Sequence, residues 1–223
     1  MPLTQYAQIE TAAQSLGLMI YGALHPGAGI EQLDHGTLIL LGCNTNFWPQ
    51  FCQSPEYRDG RADPVDRWSR RVITQLAADL GATQSYYPFD GPPYAPFVNW
   101  ALASGRAFTS PSQFLVHDQV GLLISYRGAL HFDAEFHIPA PRLAHSPCLD
   151  CTTQGCINTC PVQAMVDEGP YEVAACHNHL DTISGSSTCL SQGCIARRAC
   201  PLSEGAGRSP AQSAHHMRYF HSR

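Results

Sequence analysis

The chain has 223 residues, 44% of them hydrophobic, and a formal net charge of -5 with only 13 lysines and arginines. This length can bury a full core, and so few basic residues leave no positive surface for nucleic acid or an anionic membrane. No run of about 18 apolar residues occurs, and residues 1–24 lack the pattern of a signal peptide. We therefore expect a cytoplasmic protein with neither nucleic acid nor a membrane as a partner.

The first elements in chain order are a helix and two strands. Residues 4–16 can form an amphipathic helix that ends at Gly17, because their apolar positions recur at helical spacing. Apolar runs at 18–24 and 37–41 follow, and they predict strands.

A longer helix is predicted to follow at residues 64–80. Asp63 offers an N-cap, Pro64 suits the first helical position, and Gly81 closes the segment. Apolar residues at helical spacing would form its buried face: Val65, Trp68, Val72, Leu76 and Leu80.

The segment from Ser112 to Asp133 has apolar runs that are broken at residues 117–118 and 127–128. Such runs are typical of consecutive strands, so we predict a β-meander here. Helices mixed with partly antiparallel strands make the predicted fold class α+β, with a mixed α/β sheet in the N-terminal domain. Neither a G-x-G-x-x-G nor a Walker-type loop occurs, so nucleotide binding by those routes is not expected.

Three polar residues of the N-terminal part are open to a structural interpretation. Asp90 lies in the loop YYPFDGPPYAPF, where an aspartate before Gly-Pro-Pro commonly forms a turn by bonding its own backbone. Cys43 and Cys52 are isolated along the chain, and an isolated cysteine most often acts as a small buried hydrophobe. We assign these two cysteines no chemistry.

Eight of the ten cysteines lie between Cys148 and Cys200. This segregation predicts two domains, 1–140 and 141–223, that meet near the loop-like residues 137–147. Because cytoplasmic thiols stay reduced, dense cysteines in such a protein indicate metal or redox chemistry before disulfides.

The first cysteine run resembles the metal-binding run of bacterial ferredoxins. It reads Cys148-x2-Cys151-x4-Cys156-x3-Cys160-Pro161, whereas the ferredoxin run is C-x2-C-x2-C-x3-C-P. Its fourth cysteine ligates the other cluster when two clusters are present. The segment PVQAMVDEG after Cys160 is predicted to form a short helix.

The second run has three cysteines, Cys189-x4-Cys194-x5-Cys200-Pro201, and Cys176 is the remaining member of the eight. Exchange of the two Cys-Pro cysteines predicts two 4Fe-4S clusters with four thiolates each. The first cluster would use Cys148, Cys151, Cys156 and Cys200. The second would use Cys160, Cys176, Cys189 and Cys194.

Zinc or disulfides are the alternatives for these cysteines. Zinc also takes four thiolates, but only Cys148 and Cys151 form the C-x-x-C unit typical of zinc sites, and neither alternative explains the repeated Cys-Pro. Four histidines could ligate a metal, although such residues are more often solvated: His177, His179, His215 and His216. The C-terminal tail is expected to be an exposed end.

The cysteine order over residues 148–200 is similar to that of the iron-sulfur, cobalamin-dependent reductases, which include epoxyqueuosine reductase and, more remotely, reductive dehalogenases. The segments FDGPPYAPFVNWALASGRAF and FLVHDQVGLLISYRGAL also resemble this family in order and spacing. The resemblance implies a cobalamin-binding N-terminal domain with Asp90 as a proton donor, followed by a small ferredoxin-like domain. Where the family carries a GWIGKNT-type segment, this chain reads RAFTSPSQ, so transfer RNA is not the expected substrate.

The resulting hypothesis is an iron-sulfur redox protein, a reductase that receives electrons from a redox partner protein. It would pass them through the two clusters to a cofactor such as cobalamin, or to a small-molecule substrate, near Asp90. A ferredoxin-like electron carrier or a corrinoid-binding protein without catalysis is one alternative. A cluster-free protein whose C-terminal lobe is stapled by zinc or disulfides is the other.

Overall fold

The computed structural model describes residues 4–27, 29–167 and 169–222. The chain divides into two compact units. The sheet unit is formed by Met1–Ala107 and Ser125–Ala144, and the cysteine-rich unit is formed by Phe108–Ile124 and His145–Arg223. A single division at residue 140 was expected from the sequence, whereas in the structure Phe108–Ile124 belongs to the cysteine-rich unit.

The sheet unit combines helices with an antiparallel sheet. Its elements are α1 Gln5–Ser15, β1 Leu18–Leu24, β2 Thr37–Cys43, α2 Phe47–Gln53, α3 Pro55–Arg58, α4 Pro64–Leu80, β3 Gln84–Tyr86, α5 Phe97–Ala103 and β6 Tyr126–Phe132. The four strands pair antiparallel in the order β1-β2-β6-β3.

The cysteine-rich unit consists mostly of short helices. Its elements are β4 Ala107–Thr109, which begins at the last residue of the sheet unit, β5 Leu115–His117, α6 Gly155–Asn158, α7 Val173–Leu180, α8 Ile183–Gly185, a π-helical turn Ser186–Leu190, α9 Ile195–Arg198, a 3-10 helix Pro201–Ala206 and α10 Pro210–Phe220. Strands β4 and β5 form a two-stranded sheet. With both units taken together, the predicted α+β class is confirmed.

The predicted start of the chain is confirmed. The Thr4 hydroxyl accepts a hydrogen bond from the Ala7 amide at 3.3 Å and so caps α1. Gly17 follows the helix with a φ of +79°, in the left-handed region that favours glycine. Strand β1 matches its predicted bounds, and β2 extends two residues beyond them.

Helix α4 is also confirmed, although its N-terminus differs from the prediction. Asp63 occupies the predicted N-cap position, but it has a left-handed φ of +50° and its side chain makes no capping hydrogen bond. Pro64 occupies the first turn, and Gly81 ends the helix at a φ of +69°. The buried face carries Trp68, whose ring meets Phe47 edge-on at 5.0 Å in the main core.

The predicted β-meander over residues 112–133 is wrong. Strand β6 lies between β2 and β3, whereas β5 pairs with β4 in a separate sheet. The chain turns back after β5, because His117 and Gly121 exchange backbone hydrogen bonds and Gly121 takes a φ of +56°. A Cβ at Gly121 would lie 2.5 Å from the Ser203 backbone nitrogen, so this turn requires glycine.

Two predictions for the C-terminal part are also wrong. Residues 161–167 form turns and irregular structure instead of a short helix, because Gln163 has a positive φ of 47° that a helix does not admit. Glu168, in the same predicted segment, lies outside the described residues. The tail is not an exposed end, because Ser209 caps α10 and the helix buries Ala214 and Met217.

In the described residues, no helix combines the length and apolar character that crossing a bilayer requires.

Replacing Gly128 with alanine should destabilise the sheet unit through contact with α4. The new Cβ would lie 2.8 Å from the Ile73 Cδ1 atom and 3.1 Å from the Tyr86 carbonyl oxygen. We expect a loss of about 1–3 kcal/mol in the free energy of unfolding, as is typical of overpacking. Because Ile73→Val removes Cδ1, the double variant should lose less than the sum of the single variants.

Urea unfolding followed by tryptophan fluorescence measures this effect, since all three tryptophans, at 48, 68 and 100, lie in the sheet unit. Gly27→Ala is the matched control, because nothing lies within 4 Å of its added Cβ. Strictly additive single-variant effects would contradict the proposed contact.

Candidate metal centres in the cysteine-rich unit

The eight clustered cysteines all lie in the cysteine-rich unit and line two cavities. Four of them line the first: Cys148, Cys151, Cys156 and Cys200. The other four line the second, whose volume is about 170 Å³: Cys160, Cys176, Cys189 and Cys194. This grouping is the one expected from exchange of the two Cys-Pro cysteines, and the ligand role of these residues stays a prediction.

The two Gln-Gly-Cys repeats place the cysteine runs against each other. Helix α6 begins at the glycine of the first repeat, α9 begins directly after the cysteine of the second, and the two helices contact each other. A Cβ at Gly155 would lie 2.9 Å from the Ala199 carbonyl oxygen, so glycine permits this approach. As a result, Cys200 reaches the cavity of the first run although it is 40 residues beyond Cys160 in the chain.

Several cysteine sulfurs accept hydrogen bonds from the surrounding chain. The Ala164 amide donates to the Cys160 sulfur at 3.3 Å. Backbone amides also donate to Cys151, to Cys156 and, from the first turn of α9, to Cys194. Amide-to-sulfur hydrogen bonds are the means by which proteins stabilise metal thiolates and set cluster potentials.

Burial and mutual proximity disfavour the ionised form of four of these thiols. Burial raises the pKa of Cys148, and the neighbouring thiolates of its cavity raise it further. Burial likewise raises the pKa of Cys156, Cys176 and Cys194. Cys151 differs, because a hydrogen bond with the Thr153 hydroxyl lowers its pKa.

The second cavity has an aromatic wall that the sequence did not reveal. Tyr171 packs edge-on to Phe114 at 5.2 Å, and its hydroxyl hydrogen-bonds Cys176. Burial, together with that cysteine, raises the Tyr171 pKa far above its ordinary value, so the phenol stays neutral. A tyrosine five residues before a candidate ligand gives no sequence signal of this role.

A partly exposed arginine with a buried guanidinium connects the second cavity to the segment after β5. The Arg197 guanidinium donates to the carbonyl oxygens of Leu122 at 2.7 Å and Ile124 at 3.3 Å. Burial lowers the Arg197 pKa, while the nearby Cys194 thiolate opposes that shift. The sequence ARRACP, which resembles an ordinary helix end, does not predict these contacts of Arg197.

The histidines near the second cavity are less exposed than expected. The Nδ1 atoms of His177 and His221 are 2.6 Å apart, and His221 Nε2 lies 2.9 Å from an Asp181 carboxylate oxygen. His179 and His216 line the cavity, and His215 is buried on α10. Their expected position on a solvated surface is therefore wrong for His215, since α10 packs inward.

Asp90 lies in the sheet unit, where it pairs with an arginine. Both of its carboxylate oxygens accept hydrogen bonds from Arg70, one of them at 3.0 Å. The guanidinium also lies over the Tyr87 ring, 4.7 Å from its centroid. The carboxylate is thus engaged by a side chain of α4, and its role as a proton donor stays a prediction.

The sulfur positions bear on the two alternatives to clusters. None of the ten cysteines forms a disulfide, including Cys43, which is buried in the core of the sheet unit, and Cys52. In the described part of the chain, no three cysteine sulfurs all lie within 4.8 Å of one another. A zinc ion with bonds of about 2.3 Å to four thiolates holds them about 3.8 Å apart. The sulfurs are therefore spread more widely than a single zinc tetrahedron requires.

A search of the chain against protein-family models and against curated proteins found no match in either case.

Cys151 should be the most reactive thiol of the first group in reduced, metal-free protein. Its lowered pKa gives it a larger thiolate fraction near pH 7.5 than Cys148 and Cys156, whose pKa values are raised. We expect alkylation by iodoacetamide to be at least about threefold faster at Cys151, because the thiolate is the nucleophile. Peptide-resolved mass spectrometry over time measures the rates.

Thr153→Val should slow alkylation at Cys151 alone, whereas Thr153→Ser, which keeps the hydroxyl, should not. Equal rates for Cys151 in all three proteins would show that the hydroxyl does not stabilise its thiolate.

Proposed function

We propose that this chain is an iron-sulfur redox protein whose cysteine-rich unit binds two 4Fe-4S clusters. The observation that carries the proposal is the grouping of eight cysteines into two cavities of four. Each cavity combines cysteines from both runs, as in two-cluster ferredoxins, where the Cys-Pro cysteine ligates the other cluster. The chemistry of the donor set fits, since four soft thiolates are the usual ligands of a cubane cluster.

Two features favour clusters over zinc. In the described residues, no three sulfurs lie within 4.8 Å of one another, a wider spacing than the roughly 3.8 Å of a zinc tetrahedron, whereas a cubane has its four irons at separate corners. The amide donors at Cys151, Cys156, Cys160 and Cys194 are also of the kind that adjusts a cluster potential.

When bound, such clusters accept and donate single electrons. The chain's own contribution is to orient the thiols, to donate backbone hydrogen bonds to sulfur, and to limit water. Tyr171, Phe114 and Phe220 line the second cavity with aromatic surface, while Arg197 brings a buried positive charge near Cys194. A positive charge beside a thiolate ligand would stabilise the more negative, reduced state of a cluster bound by that thiolate.

The reductase role rests on the resemblance to cobalamin-dependent iron-sulfur reductases, with a redox partner protein as electron donor. In that role a corrinoid or a small-molecule substrate would be reduced near Asp90. The alternative is an electron carrier, and the Asp90–Arg70 pair favours it, because both carboxylate oxygens are already hydrogen-bonded.

Pairs of cysteine variants test the clusters and the exchange together. Anaerobically purified wild-type protein should contain about eight iron and eight sulfide per chain. Cys148→Ser with Cys200→Ser removes two ligands of one cavity, so about four iron and one intact cluster should remain. Cys148→Ser with Cys160→Ser should damage both clusters, although these two residues belong to the same run.

Iron and sulfide analysis with Mössbauer spectroscopy distinguishes these results, and Cys52→Ser is the control that should keep the full iron content. One intact cluster in the Cys148/Cys160 double variant would contradict the exchange. Zinc in place of iron, or no metal, would overturn the redox function itself.

Titration of the anaerobic protein with cobalamin separates the reductase from the carrier. The reductase role predicts a changed corrin spectrum that is weakened by Asp90→Asn and unaffected by Asp79→Asn, another exposed carboxylate of the sheet unit. No spectral change at any concentration would favour the carrier.

A further inference from the structure

Three side chains that could ligate a metal lie close together in the sheet unit, and none of them is a cysteine. The group consists of His35, His131 and Asp133, and one ligand atom from each lies within 4.8 Å of the others. His35 Nε2 is 3.7 Å from the Asp133 Oδ1 atom, and His131 Nδ1 is 4.0 Å from the same oxygen. Three potential donors therefore surround one point.

The other nitrogen of each imidazole already has a hydrogen-bond acceptor. His131 Nε2 lies 3.0 Å from the His35 carbonyl oxygen, and His35 Nδ1 lies 2.7 Å from an Asp34 carboxylate oxygen. A carbonyl or carboxylate acceptor places the ring proton on the nitrogen that it contacts. In the neutral rings, the lone pairs of His131 Nδ1 and His35 Nε2 are then left facing Asp133.

This arrangement is the one that metal-binding histidines adopt. Such a histidine almost always donates its second N–H to a carboxylate or a backbone carbonyl, and that bond fixes its tautomer and ring orientation. Both forms of this support occur here. In the neutral rings, two nitrogen lone pairs face a carboxylate oxygen, which is an unfavourable contact. Either a bound metal ion or protonation of His35, whose pKa the hydrogen bond with Asp34 raises, reverses it.

The fold holds the group together from two sides. His131 is buried on β6, where it pairs with Leu38 of β2, and Asp133 follows at the end of that strand. Gly36 has a φ of +78°, and a Cβ there would lie 2.1 Å from the Phe132 carbonyl oxygen, so glycine lets the loop that carries His35 approach the end of β6.

Thr37 adds a second tie between the same segments. Its hydroxyl donates to the Ala134 carbonyl oxygen at 2.9 Å and accepts from the Phe136 amide at 3.2 Å. The chain on both sides of the group is thus fixed by hydrogen bonds that do not involve the three side chains themselves.

We propose that His35, His131 and Asp133 form a site for a divalent transition-metal ion, with Zn²⁺ as the best match. Two imidazoles and a carboxylate are ligands that zinc accepts, with water in the fourth position. Water can enter, because the His35 and Asp133 side chains are 62% and 64% exposed. The site is separate in chemistry from the thiolate cavities, and the proposal does not rest on the iron-sulfur function.

The change needed for binding is small. Bonds of about 2.0 Å in a tetrahedral site place the ligand atoms about 3.3 Å apart. The two separations to Asp133 Oδ1, 3.7 Å and 4.0 Å, exceed that value by less than 1 Å. Because the His35 and Asp133 side chains are exposed, their rotation can bring the ligand atoms closer while the buried His131 stays in place.

Zinc titration of the full chain tests the site. Anaerobic protein with its cysteine-bound metals in place is titrated with Zn²⁺ against a chromophoric chelator. Wild-type protein should bind one equivalent more than His35→Gln or Asp133→Asn, or bind it at least about tenfold more tightly. His25→Gln, an exposed histidine of the same unit, is the matched control. Zinc bound by cysteines cancels in these comparisons.

Nitrogen-15 NMR of histidine-labelled protein identifies the atoms. Zn²⁺ should shift His35 Nε2 and His131 Nδ1 most strongly, whereas Mg²⁺, which prefers oxygen ligands, should not. Asp34→Ala, which removes the acceptor at His35 Nδ1, should weaken zinc binding about tenfold. The proposal is overturned if the variants bind zinc as the wild type does, or if the opposite ring nitrogens shift.

Discussion

The small apolar core of the cysteine-rich unit is the constraint on which its structure depends. The main core of the sheet unit joins α1, α2 and α4 to three strands through large apolar and aromatic side chains. In the cysteine-rich unit, by contrast, Cys156 shares one cluster with Val116 and Leu122, and Cys189 shares another with Leu180 and Met217. Cysteine is thus part of the core, and whatever binds the sulfurs acts directly on the stability of this unit.

The two units are consequently stabilised by different kinds of interaction. In the sheet unit, burial of α4 against β6 is an ordinary hydrophobic contact that needs no ligand. In the cysteine-rich unit, thiols that face one another in a cavity disfavour one another's charge, so the folded chain holds groups that a metal can stabilise better than water can. Short helices such as α6 and α9 have little stability alone, and they depend on these contacts.

Local periodicity and local spacing were the reliable signals in the sequence. The regular apolar positions of α4 predict both its bounds and its buried face, because a helix is determined by residues three and four apart. The cysteine grouping was also predictable, since it follows from a counted repeat. The separation of β5 from β6 was not, because it depends on the long-range approach of Gly121 to Ser203.

The same limit applies to single polar residues. Asp90 is hydrogen-bonded to Arg70 of α4, and His131 lies within hydrogen-bond distance of the carbonyl oxygen of His35, 96 positions earlier. In neither case are the two partners neighbours in the sequence. Only pairing of β2 with β6 brings the histidines together. Sequence patterns therefore predicted the grouping of the cysteines but could not predict the histidine–aspartate group.

Exchange of cysteines between the two runs has a consequence for biosynthesis. The first cavity uses residues from Cys148 to Cys200, and the second uses residues from Cys160 to Cys194. Because the ribosome makes the chain from its N-terminus, the second set of four is complete only after Cys194 has been translated, and the first only after Cys200. Neither run can form a complete site by itself, so a metal group of the kind proposed could be fully ligated only after both runs have been made.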